Sequence, residues 1–206
     1  MKNGFIYIIA NWIINSLKYI NLVELFKFIG RQINPNKNDT TKVAAYNRIA
    51  TDIFIVAKWL LVIILWMASF SNAFVTFFVW YLIIFNLYTY FYYHIWDNDS
   101  LNPDNLTIGR AKRRFANLML AVSFSTFCYA YLYQIPYFQH FDWNNKTPEA
   151  KYSLMYSFSN SLAANYADVK PITDLGNQVS IFQLLTTFFF LTIILSKSIP
   201  QTSSTV

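Results

Sequence analysis

Four long apolar blocks restrict this chain more than any other feature: Ile53 to Phe70, Ala73 to Trp96, Phe115 to about Tyr133, and Val179 to about Ser196. At about 1.5 Å per helical residue, each is long enough to cross roughly 30 Å of hydrocarbon. Backbone polar groups in lipid must be satisfied within the protein, so such blocks form helices. The reading is an all-α integral membrane protein with four transmembrane helices. Hydrophobic residues make up 55% of the 206 positions and charged residues only 13%, which the clustering of the apolar residues explains. Glycine occurs four times, so close glycine-mediated helix packing is not general. Cys128 is the sole cysteine, which excludes an intrachain disulfide and a cysteine-based metal site.

Only Ser71 and Asn72 separate the first two spans, so these form a tight helical hairpin. Lys58 lies inside the first span, near enough to its start to reach the headgroups by snorkelling. The net charge of +6 is read by location, as a membrane signal with no nucleic-acid partner. Lys2, Lys18, Lys27, Arg31, Lys37, Lys42 and Arg48 precede the first span. Arg110, Lys112, Arg113 and Arg114 lie between spans two and three, and Lys197 is in the tail. With both termini in the cytoplasm, these twelve cations face inward and only Lys146, Lys151 and Lys170 face outward. The positive-inside rule therefore gives an N-in, C-in topology. Abundant Asn and Lys relative to Arg and Gly point to an AT-rich bacterial genome, hence a bacterial inner membrane.

Gly4 to Ile29 is apolar but interrupted by Asn11, Asn15, Lys18, Asn21, Glu24 and Lys27. No A-x-A-like cleavage site follows it, so it reads as an N-terminal interfacial amphipathic helix on the inner leaflet. Asn34 to Thr41 is a polar linker. The organisation expected is residues 1–50 as interfacial helix and linker, 51–110 as hairpin and basic loop, 111–199 as a second pair of spans with their connection, and 200–206 as a tail.

That connection carries the most specific signal. Lys151 to Ala163 reads as a short helix, with Thr147 as its N-cap and Pro148 and Glu149 in the first turn. About 12 residues give about 18 Å, too short to span. No charge lies between Lys151 and Leu162, although the segment is nominally external. Beyond it stand Ala163-Ala164-Asn165-Tyr166-Ala167-Asp168 and then the spacing D-x-x-P-x-T-x-x-G at Asp168, Pro171, Thr173 and Gly176.

These residues resemble the pore region of the two-helix potassium-channel family. That family has an outer helix, a pore helix, a T-x-G-Y-G-D filter, a D-x-x-P-x-T-x-x-G exit and an inner helix. The match covers roughly Phe115 to Ile199, with Tyr166 and Asp168 in the filter register. The resemblance implies a re-entrant pore helix, a homotetramer around a central pore, and monovalent cations as the permeant partner. Asn165 and Ala167 replace the two filter glycines, whose freedom lets the backbone aim its carbonyls at an ion. Potassium selectivity is therefore not inherited: the pore is wider and weakly selective, plugged, or structural only. Side chains of Asn165 would form a polar ring and the Asp168 carboxylates would attract cations at the outer mouth. On the inner helix, Gln183, Thr186 and Thr187 share a face that either lines water or bonds neighbouring helices.

Other constellations have plainer readings. His94, Asp97 and Asp99 form H-x-x-D-x-D at the end of span two, a solvated helix end before it is a metal site. Arg110, Lys112, Arg113 and Arg114 anchor span three at anionic headgroups, and the same patch suits a cytoplasmic regulator. Tyr88, Tyr90, Tyr92, Tyr93 and Trp96 read as an interfacial aromatic belt. No arginine series suggests a voltage sensor, and no P-loop, G-x-S-x-G or H-E-x-x-H is present. No enzyme, cofactor or metal is expected. The leading expectation is an ion-channel-like membrane protein. The alternative is a membrane effector or regulatory subunit of a bacterial antiviral defence system, for example a CRISPR-associated one, that uses a pore scaffold.

Overall fold

The computed structural model describes residues 4–33, 39–97 and 108–198. Asp99, most of the expected linker and the 200–206 tail lie outside the described residues, as do the side chains of Arg110 and Lys197. The helices are α1 (Phe5–Leu17), α2 (Leu22–Ile33), α3 (Thr40–Met67), α4 (Ala73–Phe91), α5 (Ile108–Gln134), α6 (Ala150–Ser161) and α7 (Asp174–Ser198). A short 3-10 turn at Lys18–Ile20 joins α1 to α2, and a π-helical segment, Tyr92–Trp96, continues α4. Four helices are long and apolar enough to cross a membrane, over Lys42–Met67, Ala73–Trp96, Lys112–Gln134 and Asp174–Ile193. They fit a multi-pass transmembrane protein. Among the described residues a ladder of two strands, β1 (Phe141–Asp142) and β2 (Lys170–Pro171), pairs antiparallel.

Three of the four spans begin earlier than apolarity alone indicates, while α4 begins at Ala73 as expected. Asp39 starts α3: its carboxylate accepts the Lys42 amide at 3.3 Å, so helix replaces the end of the expected linker. Asn72 starts α4 in the same way, accepting the Val75 amide at 2.8 Å. Thr173 starts α7, accepting the Gly176 amide at 3.2 Å. Two helix ends are closed without glycine. At the end of α3 the Ser69 amide bonds the Trp66 carbonyl and the Phe70 amide bonds the Leu65 carbonyl. At the end of α6 the Ala163 amide bonds the Asn160 carbonyl and the Ala164 amide bonds the Ser159 carbonyl. Both are Schellman closures, with Ser69 and Ala163 at φ 51° and 54° in the left-handed position where glycine is usual.

The chain divides into two compact units, Met1–Ile63 and Ile64–Val206. In the first, the expected single amphipathic helix is two helices, bent by 58°. Asn21 makes the break: it is extended, buried, and accepts the Val23 amide at 3.1 Å to cap α2. Helix α2 lies on α3. A Cβ at Gly30 would stand 3.1 Å from the Ala50 Cβ, and Phe26 meets Phe54 edge-on at 5.2 Å. Lys58 is buried, with its ammonium 5.9 Å from the Phe54 ring centre, which corrects the snorkelling expectation.

In the second unit α4, α5 and α7 share a core of Tyr90, Leu118, Ala121, Phe190 and Ile193. Asn86 of α4 clamps α5, donating to the Ala121 carbonyl at 2.8 Å and to Ser125 Oγ at 3.0 Å. Tyr90 and Tyr92 are buried, so these two are packing residues rather than part of an interfacial belt. The last turns of α5 are tied to the α3–α4 turn. The Trp66 indole donates to Gln134 Oε1 at 2.7 Å, and the Tyr131 hydroxyl donates to the Phe70 carbonyl.

Candidate functional site

Helix α6 is the short segment between α5 and α7, within a residue or two of its expected position. Thr147 does not cap it, as was expected; its hydroxyl donates instead to the Glu149 carboxylate at 3.0 Å. Residues three and four apart share a helix face, and Ser153, Tyr156, Ser157 and Asn160 put the polar side of α6 against α5 and α7. The Ser157 hydroxyl donates to the Thr126 carbonyl of α5 at 2.7 Å. Tyr156 and Ser180 hydroxyls meet at 2.9 Å, and Asn160 Nδ2 donates to the Ser180 carbonyl at 3.0 Å.

Gln183 is the hub. Its Nε2 donates to the Ser157 carbonyl at 2.8 Å and to Ser157 Oγ at 2.7 Å. Its Oε1 accepts from the Tyr133 hydroxyl at 2.6 Å and from Asn160 Nδ2 at 2.9 Å. The residue is 1% exposed. A buried amide with both ends bonded holds a structure together, because leaving either end unpaired is costly. Thr186 is also buried, with its hydroxyl 2.9 Å from that of Tyr129 on α5. Pore lining by Gln183 and Thr186 is therefore corrected: both bond neighbouring elements of their own chain. Thr187 is half-buried and donates to the Gln183 carbonyl at 3.0 Å.

The segment after α6 is built differently. Ala163, Ala164, Asn165 and Ala167 are exposed, and Tyr166 and Asp168 half-buried. Among the described residues, positive φ outside glycine occurs at Ser69, Asn144, Asn145 and Ala163. Asn165 and Ala167, at the positions of the filter glycines, are not among them. The left-handed residue belongs to the helix closure, so the carbonyl-aiming backbone implied by the filter register is absent here. Asp168 accepts from the Lys146 ammonium at 2.7 Å, and that ammonium lies 4.6 Å from the Tyr152 ring centre. The Lys146 hydrogen bond holds the Asp168 carboxyl below its ordinary range, and the same bond raises the Lys146 ammonium. Asp168 is thus paired in the chain rather than the free carboxylate that was expected.

The P-x-T-x-x-G residues have structural tasks. Pro171 lies in β2 opposite Phe141. Thr173 caps α7 and stands 3.0 Å from His140 Nδ1. Gly176 is buried where a Cβ would come within 2.5 Å of the His140 carbonyl oxygen, so any side chain would force the two loops apart. The Ile172 amide donates to that same carbonyl at 3.0 Å. His140 fastens the post-α5 loop to the start of α7 through its ring and its carbonyl.

Away from this end, Lys112 is exposed and Arg113 and Arg114 half-buried in the first turns of α5. His94 Nδ1 lies 3.0 Å from the Tyr90 carbonyl, a contact within its own helix. Among the described residues no three His, Cys, Asp or Glu side chains are grouped to hold a metal. None of the family models, curated proteins and solved structures compared with the chain matches it.

Proposed function

We propose that the chain is a multi-pass protein of a bacterial inner membrane that assembles with copies of itself, as a homotetramer, around α6 to enclose a weakly selective cation path. The observation that carries this reading is the two-faced character of α6. One face is bonded throughout to α5 and α7. The other presents Leu154, Met155, Phe158 and Leu162, all exposed in the single chain. An apolar stripe between two spans is at home in a membrane or against another copy, and poorly placed in bulk water. Both termini then lie in the cytoplasm, a topology that the charge distribution supports.

Ion flow would be passive. The carbonyl end of α6 points toward Ala163 to Asp168, and a helix C-terminus carries partial negative charge that favours cations. Potassium selectivity is no part of the proposal, because Asn165 and Ala167 lack the glycine-type backbone and Asp168 is paired. Purified protein in lipid vesicles should pass sodium and potassium at similar rates. The same two observations favour a second reading, a membrane effector or regulatory subunit in which the scaffold stays shut. An oligomer that never conducts would select the second reading. A monomer in lipid would overturn both.

A further inference from the structure

The pore reading makes no use of α1, which the four-span count also omits. From Phe5 to Leu17 the helix has no charged residue. Phe5, Ile6, Tyr7, Ile8 and Ile9 are consecutive and all exposed, Phe5 and Ile6 at 73% and 77%. At about 3.6 residues per turn, five successive side chains point around the whole circumference of a helix. A single protein surface covers one face, whereas acyl chains cover all of them; beyond Ile9 one side of the helix, at Ala10, Asn11, Ile14 and Asn15, is half-buried within the chain. The internal polar side chains are turned on each other: Asn15 Nδ2 donates to the Asn11 carbonyl at 2.8 Å and to Asn11 Oδ1 at 2.9 Å.

Its neighbour sets the depth. Helix α2 packs on α3 at Tyr46, Ala50 and Phe54, within the stretch Lys42–Met67 that is apolar enough to span. Helix α2 itself carries Glu24 bonded to Lys27 at 2.9 Å and to Arg31 at 3.5 Å, a group suited to headgroup level. Helix α1 leaves the bend at Asn21 next to a helix that packs on a candidate span. Its 13 residues reach about 20 Å, short of the roughly 30 Å of hydrocarbon. Lys2 and Lys18 flank the charge-free stretch in the sequence, and lysine stems are long enough to return a charge from the acyl region to the headgroups.

We propose that α1 is a submerged helix, its Phe5–Ile9 turns sunk on all sides among the acyl chains of the leaflet where α3 begins, with the lipid bilayer as its partner. By the charge distribution this is the cytoplasmic leaflet. It differs from an amphipathic surface helix, which keeps one face wet, and it does not depend on whether the pore conducts.

The test uses the full chain carrying Cys128→Ala, with single cysteines placed at Ile6, Tyr7, Ile8, Ile9 or Arg31, four successive exposed α1 sites that go round the helix and one reference site, each spin-labelled in phosphatidylethanolamine–phosphatidylglycerol vesicles. Each labelled protein must elute as the parent does. Collision with oxygen over a water-soluble nickel chelate should be several-fold higher at all four α1 sites than at Arg31, with no helical period. A 3.6-residue alternation, with one face open to nickel, would overturn the proposal in favour of an ordinary surface helix. Protection that disappears on dilution in lipid would assign the helix to a second copy and equally overturn it. So would an amino terminus reached only from the opposite side of the vesicle, which would make α1 and α2 a complete fifth span.

Discussion

The inward face of α6 and the loop that follows it are adjacent in sequence and opposite in construction. The face of Ser153, Tyr156, Ser157 and Asn160 is buried or half-buried, and its polar groups find bonds on α5 and α7. The loop from Ala163 to Asp168 is mostly exposed and is fastened at its far end by the Lys146–Asp168 pair. A filter that replaces an ion's water shell needs the reverse emphasis, with the loop held more rigidly than the helix beneath it. The fold therefore fixes where α6 stands and leaves the segment after it without built-in ion ligands, which is why the proposed path is weakly selective.

Removing the hub should have the largest effect. Gln183→Leu leaves the Ser157 and Tyr133 groups without their partner and should cost about 2–3 kcal/mol, read as unfolding of the detergent-solubilised protein. A loss below about 0.5 kcal/mol would mean that the polar network does not hold α6. Gly176→Ala forces a methyl against the His140 carbonyl and should cost about 1–3 kcal/mol, with faster proteolysis of the loop between α5 and α6. Ala163→Gly relieves a left-handed alanine and should stabilise by up to about 1 kcal/mol. No gain there would remove the Schellman closure from the account. Ser69→Gly at the end of α3 should behave alike.

The loop-side pair should matter least to stability, and its pH dependence has a definite sign. Asp168 is held low, so its contribution is present above the ordinary carboxylate range and is lost as pH falls through the lowered value. Lys146 is held high, so its contribution is present below the ordinary ammonium range and is lost as pH rises through the raised value. The cost of Lys146→Met should therefore be small and flat from about pH 5 to 9, and vanish in acid. In a conducting oligomer the same substitution frees the Asp168 carboxylate and should increase preference for cations over anions. An unchanged preference would place Asp168 away from the ion path.

The spans were legible because apolar runs of some twenty residues have few other uses. The starts of α3 and α7 were not, because Asp39 and Thr173 begin helices inside stretches that read as polar loop, whereas the start of α4 at Ala73 was legible. That α6 exists, and where, was legible from a charge-free run between two spans. Its C-terminal closure was not, since Schellman positions are recognised by glycine and here hold Ser69 and Ala163. Gln183, Thr186 and Thr187 stood out as a polar face, but periodicity cannot say whether that face meets water or a neighbour. The tyrosines at positions 129 and 133 on α5 decide this for Gln183 and Thr186. Lys146 and Asp168 are brought together by a ladder of only two residues per strand, too short to leave a sequence pattern. The break at Asn21 was equally hidden, because the residues on either side are both apolar and helix-forming.

The central claim is that α6 gathers identical copies around a common axis, and imaging of the lipid-embedded particle tests it most directly. The account predicts a fourfold particle in which Asn165 and Tyr166 lie nearest the axis and Leu154, Met155 and Phe158 face a neighbouring copy or lipid. A monomer, or an oligomer whose axis runs through another helix with α6 turned outward into water, would contradict it.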